Sequence, residues 1–348
     1  MPAIPESSRP RVSATPQTVL AWLRKNLFNT WFNSALTIVC LWIVVQVAAG
    51  VLRWITTQAQ WSVVFANFRL FFVGRYPIEQ VWRIWGVLAI TLALIAVWIV
   101  RLKVRAPLKE RMNTIAYALL PIGVAACVWL IGGGLGLPAV STTLWGGLLL
   151  TLLVAIVSIA LAFPFGVLLA IGRQSTLPAV RWLSAIYIEL VRGLPLIGIL
   201  FIAQVMLPLV LPGQLRLDRL VRAIAGLVLF NAAYIAENIR GGLQAIPQGQ
   251  TEAAKALGLN VPQTLLLVVL PQALRAVTPA IVGQFISLFK DTSLLALFAL
   301  VELTGIARSI LAQPNFLGRY AEVYLFIGLI YWLFCYTMSL LSRRLERV

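Results

Sequence analysis

The sequence predicts an all-α polytopic membrane protein with about eight transmembrane helices, and three observations predict it. Apolar residues make up 61% of the 348 residues and the mean hydropathy is +0.93, whereas soluble domains run at about 45–50% apolar. The apolar residues are gathered in runs that approach or exceed the roughly 20 residues a helix needs to cross hydrocarbon. Such a segment satisfies its backbone hydrogen bonds alone only as a helix.

The runs fall at about 35–52, 85–100, 115–137, 145–172, 183–211, 220–240, 276–301 and 322–342. Residues 1–34 carry Arg9, Arg11, Arg24 and Lys25, several Pro and Ser, and no apolar stretch. They read as a cytoplasmic tail and not as a cleavable signal peptide. With that terminus inside, the loops after the second, fourth and sixth runs and the carboxyl tail are cytoplasmic. They hold Arg101, Lys103, Arg105, Lys109 and Arg111, then Arg173 and Arg181, then Lys255 and Arg275, then Arg343, Arg344 and Arg347, as the bias of Lys and Arg towards the cytoplasm requires. The segment 53–84 runs against the bias with Arg53, Arg69, Arg75 and Arg83, which its length tolerates. Trp54, Trp61, Trp82 and Trp85 flank the first two runs as interfacial anchors.

A change of character near 138–142, where Pro138 and a Ser-Thr-Thr stretch follow Gly133, Gly134 and Gly136, marks a domain boundary. It divides an extension of three spans and a periplasmic loop (35–142) from a core of five spans (143–348).

Charge and composition exclude several functions. The net charge of +17, from 28 basic and 11 acidic residues, belongs to loops facing an anionic leaflet, so membrane lipid and not nucleic acid is its partner. There is no His, which removes the commonest metal ligand and general base. No Gly-Lys dipeptide occurs, so there is no Walker A phosphate loop. Cys40, Cys127 and Cys335 lie far apart inside apolar runs and read as small hydrophobes. No catalytic residue, metal or cofactor is expected.

The most informative segment runs from Ala245 to Pro279, AIPQGQTEAAKALGLNVPQTLLLVVLPQALRAVTP. Pro247 suits the first turn of a helix and Gly258 the position past its end, where φ is positive. Asn260 suits the cap of a second helix with Pro262 in its first turn, ending where Pro271 interrupts it. Ala253, Ala254 and Ala256 give the first helix little bulk, so its backbone can approach another protein closely. An amphipathic hairpin resting on the membrane surface is the alternative that physics alone leaves open.

Glu252, Ala253 and Ala254, then Gly258, then Val268, Leu270 and Pro271 resemble the EAA signature of permeases of ATP-binding-cassette importers, with Val for the usual Ile. Tyr187, Glu189, Arg192, Gly193, Pro195 and Leu196 resemble the YxExxRGxPL segment of the polar amino-acid branch, the histidine and glutamine permeases, with Leu194 for the usual Thr. Lys290, Asp291, Thr292, Ser293 and Leu294 resemble its KDTSL segment. The resemblance covers about 143–342 and implies a five-helix type I importer core, coupled through a cytoplasmic loop at about 241–275 to a separate ATPase subunit. The extension is similar to that of general L-amino-acid importers. The implied partners are ABC ATPase subunits, a second similar permease or a copy of this chain, a periplasmic amino-acid-binding protein and an L-amino acid. The implied location is the bacterial inner membrane with both termini cytoplasmic.

Charges at depth in a membrane cost several kcal/mol unless paired or hydrated. Glu189, Arg192, Glu237, Lys290 and Asp291, with neutral Asn231 and Gln284, are therefore the candidate lining of a translocation path. Glu302 lies within or beside a span. Glu189 and Arg192, three apart, can meet on one helix face. Lys290 and Asp291 point about 100° apart and reach different partners, near the middle of their run. Structural neutralisation that fixes helix packing is the alternative role for these groups. An ion-coupled carrier or channel working alone would leave the coupling loop without a purpose, and a membrane-embedded enzyme would lack paired carboxylates at helical spacing.

Overall fold

The computed structural model describes residues 19–103, 106–212 and 217–345. Arg9, Arg11, Arg105 and Arg347 of the charge argument lie outside the described residues. The described residues form helices and isolated β-bridges, with no strand among them, and the chain divides into two compact units between Trp61 and Ser62.

The first unit holds α1 (Val19–Asn26) and α2 (Trp31–Thr57). Thr30 caps α2 by accepting from Asn33 N at 3.2 Å. No side chain of α2 is buried, as befits a helix apolar all round in a lipid solvent. At its far end the Trp61 indole donates to Ile55 O at 3.1 Å and its ring meets Trp54 edge-on.

The second unit comprises α3 (Ser62–Ala66), α4 (Phe68–Val73), α5 (Trp82–Lys103), α6 (Ala106–Gly132), α7 (Gly147–Arg173), α8 (Pro178–Gly193), α9 (Leu196–Phe201), α10 (Leu207–Val210), α11 (Arg219–Ala245), α12 (Gln248–Ala256), α13 (Val261–Gln263), α14 (Leu270–Asp291), α15 (Leu303–Leu311) and α16 (Tyr320–Leu345). Among the described residues seven helices are long and apolar enough to cross a membrane, or eight if a bent pair counts as one span.

That bent pair corrects the expectation of an uninterrupted run over 183–211. The chain turns by 104° between α8 and the α9–α10 segment. Leu194, which precedes Pro195, is extended at φ −100° and ψ 142°, because a proline ring disfavours helical backbone in its predecessor. A second correction concerns Pro271, which does not end a helix. A π turn over Thr264–Val269 joins α13 to α14, with Leu270 N bonded to Leu265 O, one carbonyl further back than in an α-helix. The widened turn makes room for the Pro271 ring. The helical run therefore extends from Val261 to Phe298, and Lys290 and Asp291 sit in the last turn of α14, not mid-helix.

The core is a layer of α7, α11 and α14, with α8 against α7 and α11 and α16 against α14. Small residues set the spacing. A Cβ on Gly166 would lie 2.6 Å from the Ile235 side chain, and one on Gly242 would lie 2.8 Å from Ala273 O. Without water in the hydrocarbon, such close backbone contact supplies much of the association between helices. Val154, Ile188, Leu227, Ile235, Ile239 and Leu288 are fully buried in this layer.

At the end of the bundle away from α12, α4 packs on α7 and α15. Gly74 bridges to Trp145, Tyr76 donates to Ile131 O at 2.9 Å, and buried Arg83 donates to Pro138 O at 2.9 Å. Burial pushes the Tyr76 hydroxyl above the ordinary phenol range against the opposing pull of Arg83. Glu302, fully buried, caps α15 by accepting from Thr304 N and Gly305 N at 2.9 Å each, and receives the Tyr331 hydroxyl at 3.0 Å.

Candidate functional site

Two features carry the sequence-derived residues: a hairpin formed by α12 and the following turn, and a polar ladder along α11 and α14.

The hairpin is built from local chemistry. Gly258 has φ +83°, Leu259 N bonds to Ala254 O at 3.2 Å and Gly258 N to Lys255 O at 2.9 Å. This is a Schellman closure of α12, which needs a left-handed residue at that position. Two residues on, Asn260 Oδ1 accepts from Gln263 N at 2.9 Å while Gln263 Oε1 accepts from Asn260 N at 3.0 Å, a complete capping box. Gln272 Nε2 ties the two arms by donating to Gln250 Oε1 at 3.2 Å and to Val268 O at 2.9 Å. The first helix has 9 residues, with Pro247 as its cap.

The face that α12 presents differs in one residue from expectation. Ala254 is 2% exposed and faces the π turn, because the hairpin must bury one side of its short arm against the other. Glu252, Ala253, Lys255, Ala256 and Leu257 remain exposed, Leu257 at 83%. Leu270 is buried and Pro271 exposed.

Along the ladder, Glu237 of α11 is the centre of a charge network. Its carboxylate lies 2.5 Å from Arg240, 3.4 Å from Arg173 and 3.5 Å from Arg192. Glu189 pairs with Arg173 at 2.7 Å, so the expected Glu189–Arg192 pair on α8 gives way to pairs that cross between α7, α8 and α11. Arg192 also lies 5.8 Å from the Tyr234 ring centre. Sequence reasoning placed Arg173 only among the loop charges and did not single out Arg240, although Arg240 stands three residues beyond Glu237 and the same spacing rule finds it. Nearer the middle of α11, Gln284 of α14 donates to fully buried Asn231 at 2.8 Å. Lys290 is exposed, Asp291 half-buried, and neither has an ion-pair partner among the described residues. Among the described residues no three His, Cys, Asp or Glu side chains come together to hold a metal.

The profile of the "Binding-protein-dependent transport system inner membrane component" family matches residues 162–347, which span α8, the α12 hairpin and the whole polar ladder. The chain belongs to that family. The inner membrane amino-acid ABC transporter permease protein YhdY of Escherichia coli K12 is 42% identical over 344 residues, 94% of this chain and 92% of that protein. The glutamate/glutamine/aspartate/asparagine transport system permease protein BztC of Rhodobacter capsulatus is 35% identical over 98% of this chain and 96% of that protein. Among solved structures, the crystal structure of an amino acid ABC transporter with histidines matches at a TM-score of 0.52 and 29% identity, over 58% of this chain and 91% of that one. The two long relatives thus match this permease over nearly its whole length, whereas the solved structure corresponds to little more than half of it. Its fold is that of the type I importer permeases, all-helical and multi-pass.

Proposed function

We propose that this chain is the permease subunit of an ATP-driven importer of L-amino acids in the bacterial inner membrane, with both termini cytoplasmic. Its relatives are named as amino-acid permeases over nearly their whole length, which supports the substrate class. The observation that carries the reading is the α12 hairpin. A short helix closed at its end by the Gly258 turn, tied to α14 by Gln272 and exposing Glu252, Ala253, Ala256 and Leu257, is a stiff lever joined directly to the α11–α14 layer.

An ATPase subunit grips that lever, and ATP hydrolysis resides on the ATPase. Its closure favours one arrangement of the helices over another, and nucleotide drives transport through its unequal affinity for the two. A second permease, or a copy of this chain, completes the passage, and a periplasmic amino-acid-binding protein delivers the load. Residues 35–142 act as an extension of the core that begins at 143. The zwitterionic substrate needs opposite charges in reach. Glu189, Arg192, Glu237, Lys290 and Asp291 supply them, while Asn231 and Gln284 hold the α11–α14 seam between the two charged ends.

Reconstitution tests the reading. Vesicles holding this chain with its ATPase and partner permease should take up a labelled amino acid only with ATP inside and loaded binding protein outside. Uptake by the chain alone, driven by an ion gradient, would establish a secondary carrier instead.

A further inference from the structure

We propose that α4 and α15 form a basic platform that docks an acidic face of the amino-acid-binding protein. The proposal rests on the importer reading, which places the end opposite α12 on the periplasmic side.

The two segments come together in the fold. The α4 helix packs on α7 and α15, and its Phe68 and Phe71 rings meet Phe326 of α16 with centroids 6.2 and 5.0 Å apart. Between them, residues 62–80 and 301–319 hold Arg69, Arg75, Arg308 and Arg319 and no Lys. The first three are exposed and Arg319 is partly so. Arg69 donates to Tyr76 O at 3.3 Å, and none of the four has an ion-pair partner among the described residues. Of the acids in these segments, Glu79 is exposed, while Glu302 is buried and occupied by three donors.

Three considerations point to a protein carboxylate as the match. The bias of basic residues towards the inner side is relaxed over a segment of this length, which leaves exposed arginines on the outer side available to a partner. The guanidinium fork pairs with carboxylates through two hydrogen bonds, which a Lys ammonium does not. Exposed Phe65, Ile78 and Leu317, at 74%, 73% and 69%, stand in the same segments, and a mixture of Arg with aromatic and aliphatic side chains is the composition of protein interfaces.

The platform is also rigid. Gly147 at φ +60° lets Phe71 O approach so closely that no Cβ would fit, and the Glu302 cap fixes α15. Docking there bears on the start of α7, whose last residue, Arg173, joins the Glu237 network. A partner seated on the outer end thus presses on a helix that reaches the inner one.

The test is binding-protein-stimulated ATP hydrolysis by the whole complex in nanodiscs, read as the concentration of loaded binding protein that gives half-maximal stimulation. Discs of phosphatidylcholine alone and discs containing phosphatidylglycerol are compared. In the double variant Arg75→Glu/Arg308→Glu that concentration should rise about tenfold in both lipids, because reversed charges repel an acidic partner. Arg75→Lys/Arg308→Lys should fall between it and the parent. Arg69→Glu/Arg319→Glu offers a second pair should the first assemble poorly. An unchanged half-maximal concentration in both pairs would overturn the platform, and so would a shift confined to phosphatidylglycerol discs, which would assign the arginines to lipid phosphates. A parent complex that hydrolyses ATP but responds to no loaded binding protein would contradict the importer reading itself.

Discussion

Gln284 of α14 reaches across to Asn231 of α11 and donates to its amide oxygen at 2.8 Å, while the Asn231 amide donates to Leu227 O at 2.9 Å. Asn231 is fully buried, so this bond is the polar fastener of the α11–α14 seam. Between transmembrane helices such a bond contributes about 0.6–2 kcal/mol. Asn231→Ala and Gln284→Ala should each lower the thermal unfolding temperature of the purified complex. The double variant should lose less than the sum, by about that coupling. Strict additivity in the unfolding measurement would mean that the two amides do not depend on each other.

Glu237 gathers Arg173, Arg192 and Arg240 around one half-buried carboxylate. Glu237→Gln removes the charge that three guanidiniums share and should cost about 1–3 kcal/mol of stability. Glu189 is 62% exposed and meets only Arg173 among the described residues, so Glu189→Gln should cost less than about 1 kcal/mol. Unfolding in mild detergent would rank the two. The reverse order would show that the network is centred elsewhere.

Lys290 and Asp291 form no direct ion pair with each other, so neither charge is neutralised by contact with its neighbour. Lys290→Met and Asp291→Asn should each reduce reconstituted uptake more than a neutral change on the exposed face of α2. The double variant Lys290→Met/Asp291→Asn should stay impaired while assembling normally. Recovery of uptake in the double variant would show that the two charges only balance each other.

What was legible in the sequence was mostly what chemistry decides within one turn. The Schellman closure at Gly258 and the cap at Asn260 depend on residues three to five apart, and their spacing is enough to place them. The choice of Arg173 over Arg192 as the partner of Glu189 was not legible, because it depends on how α7 and α8 lie side by side. Pro271 carried a misleading local signal. Its ring disfavours a continued α-helix, yet a π turn two to seven residues earlier absorbs it, and the same device precedes Pro208 over Ile202–Met206. Ala254 looked like its neighbours Ala253 and Ala256 until the hairpin closed and buried one of the three.

The central claim is that the α12 hairpin transmits the ATPase cycle to the helices. Nothing lies within 4 Å of a Cβ added at Gly258, so a substitution there acts through its positive φ and not through a clash. Gly258→Ala should weaken the hairpin by about 1 kcal/mol, and Gly258→Arg should add a long side chain beside the docking face. The decisive measurement combines crosslinking of Ala253→Cys to the ATPase subunit with stimulated hydrolysis and uptake, in the parent and in Gly258→Arg. Reduced crosslinking with loss of uptake, in a chain that still inserts and assembles with its partner permease, is the predicted result. Normal crosslinking, stimulated hydrolysis and uptake in Gly258→Arg would contradict the account.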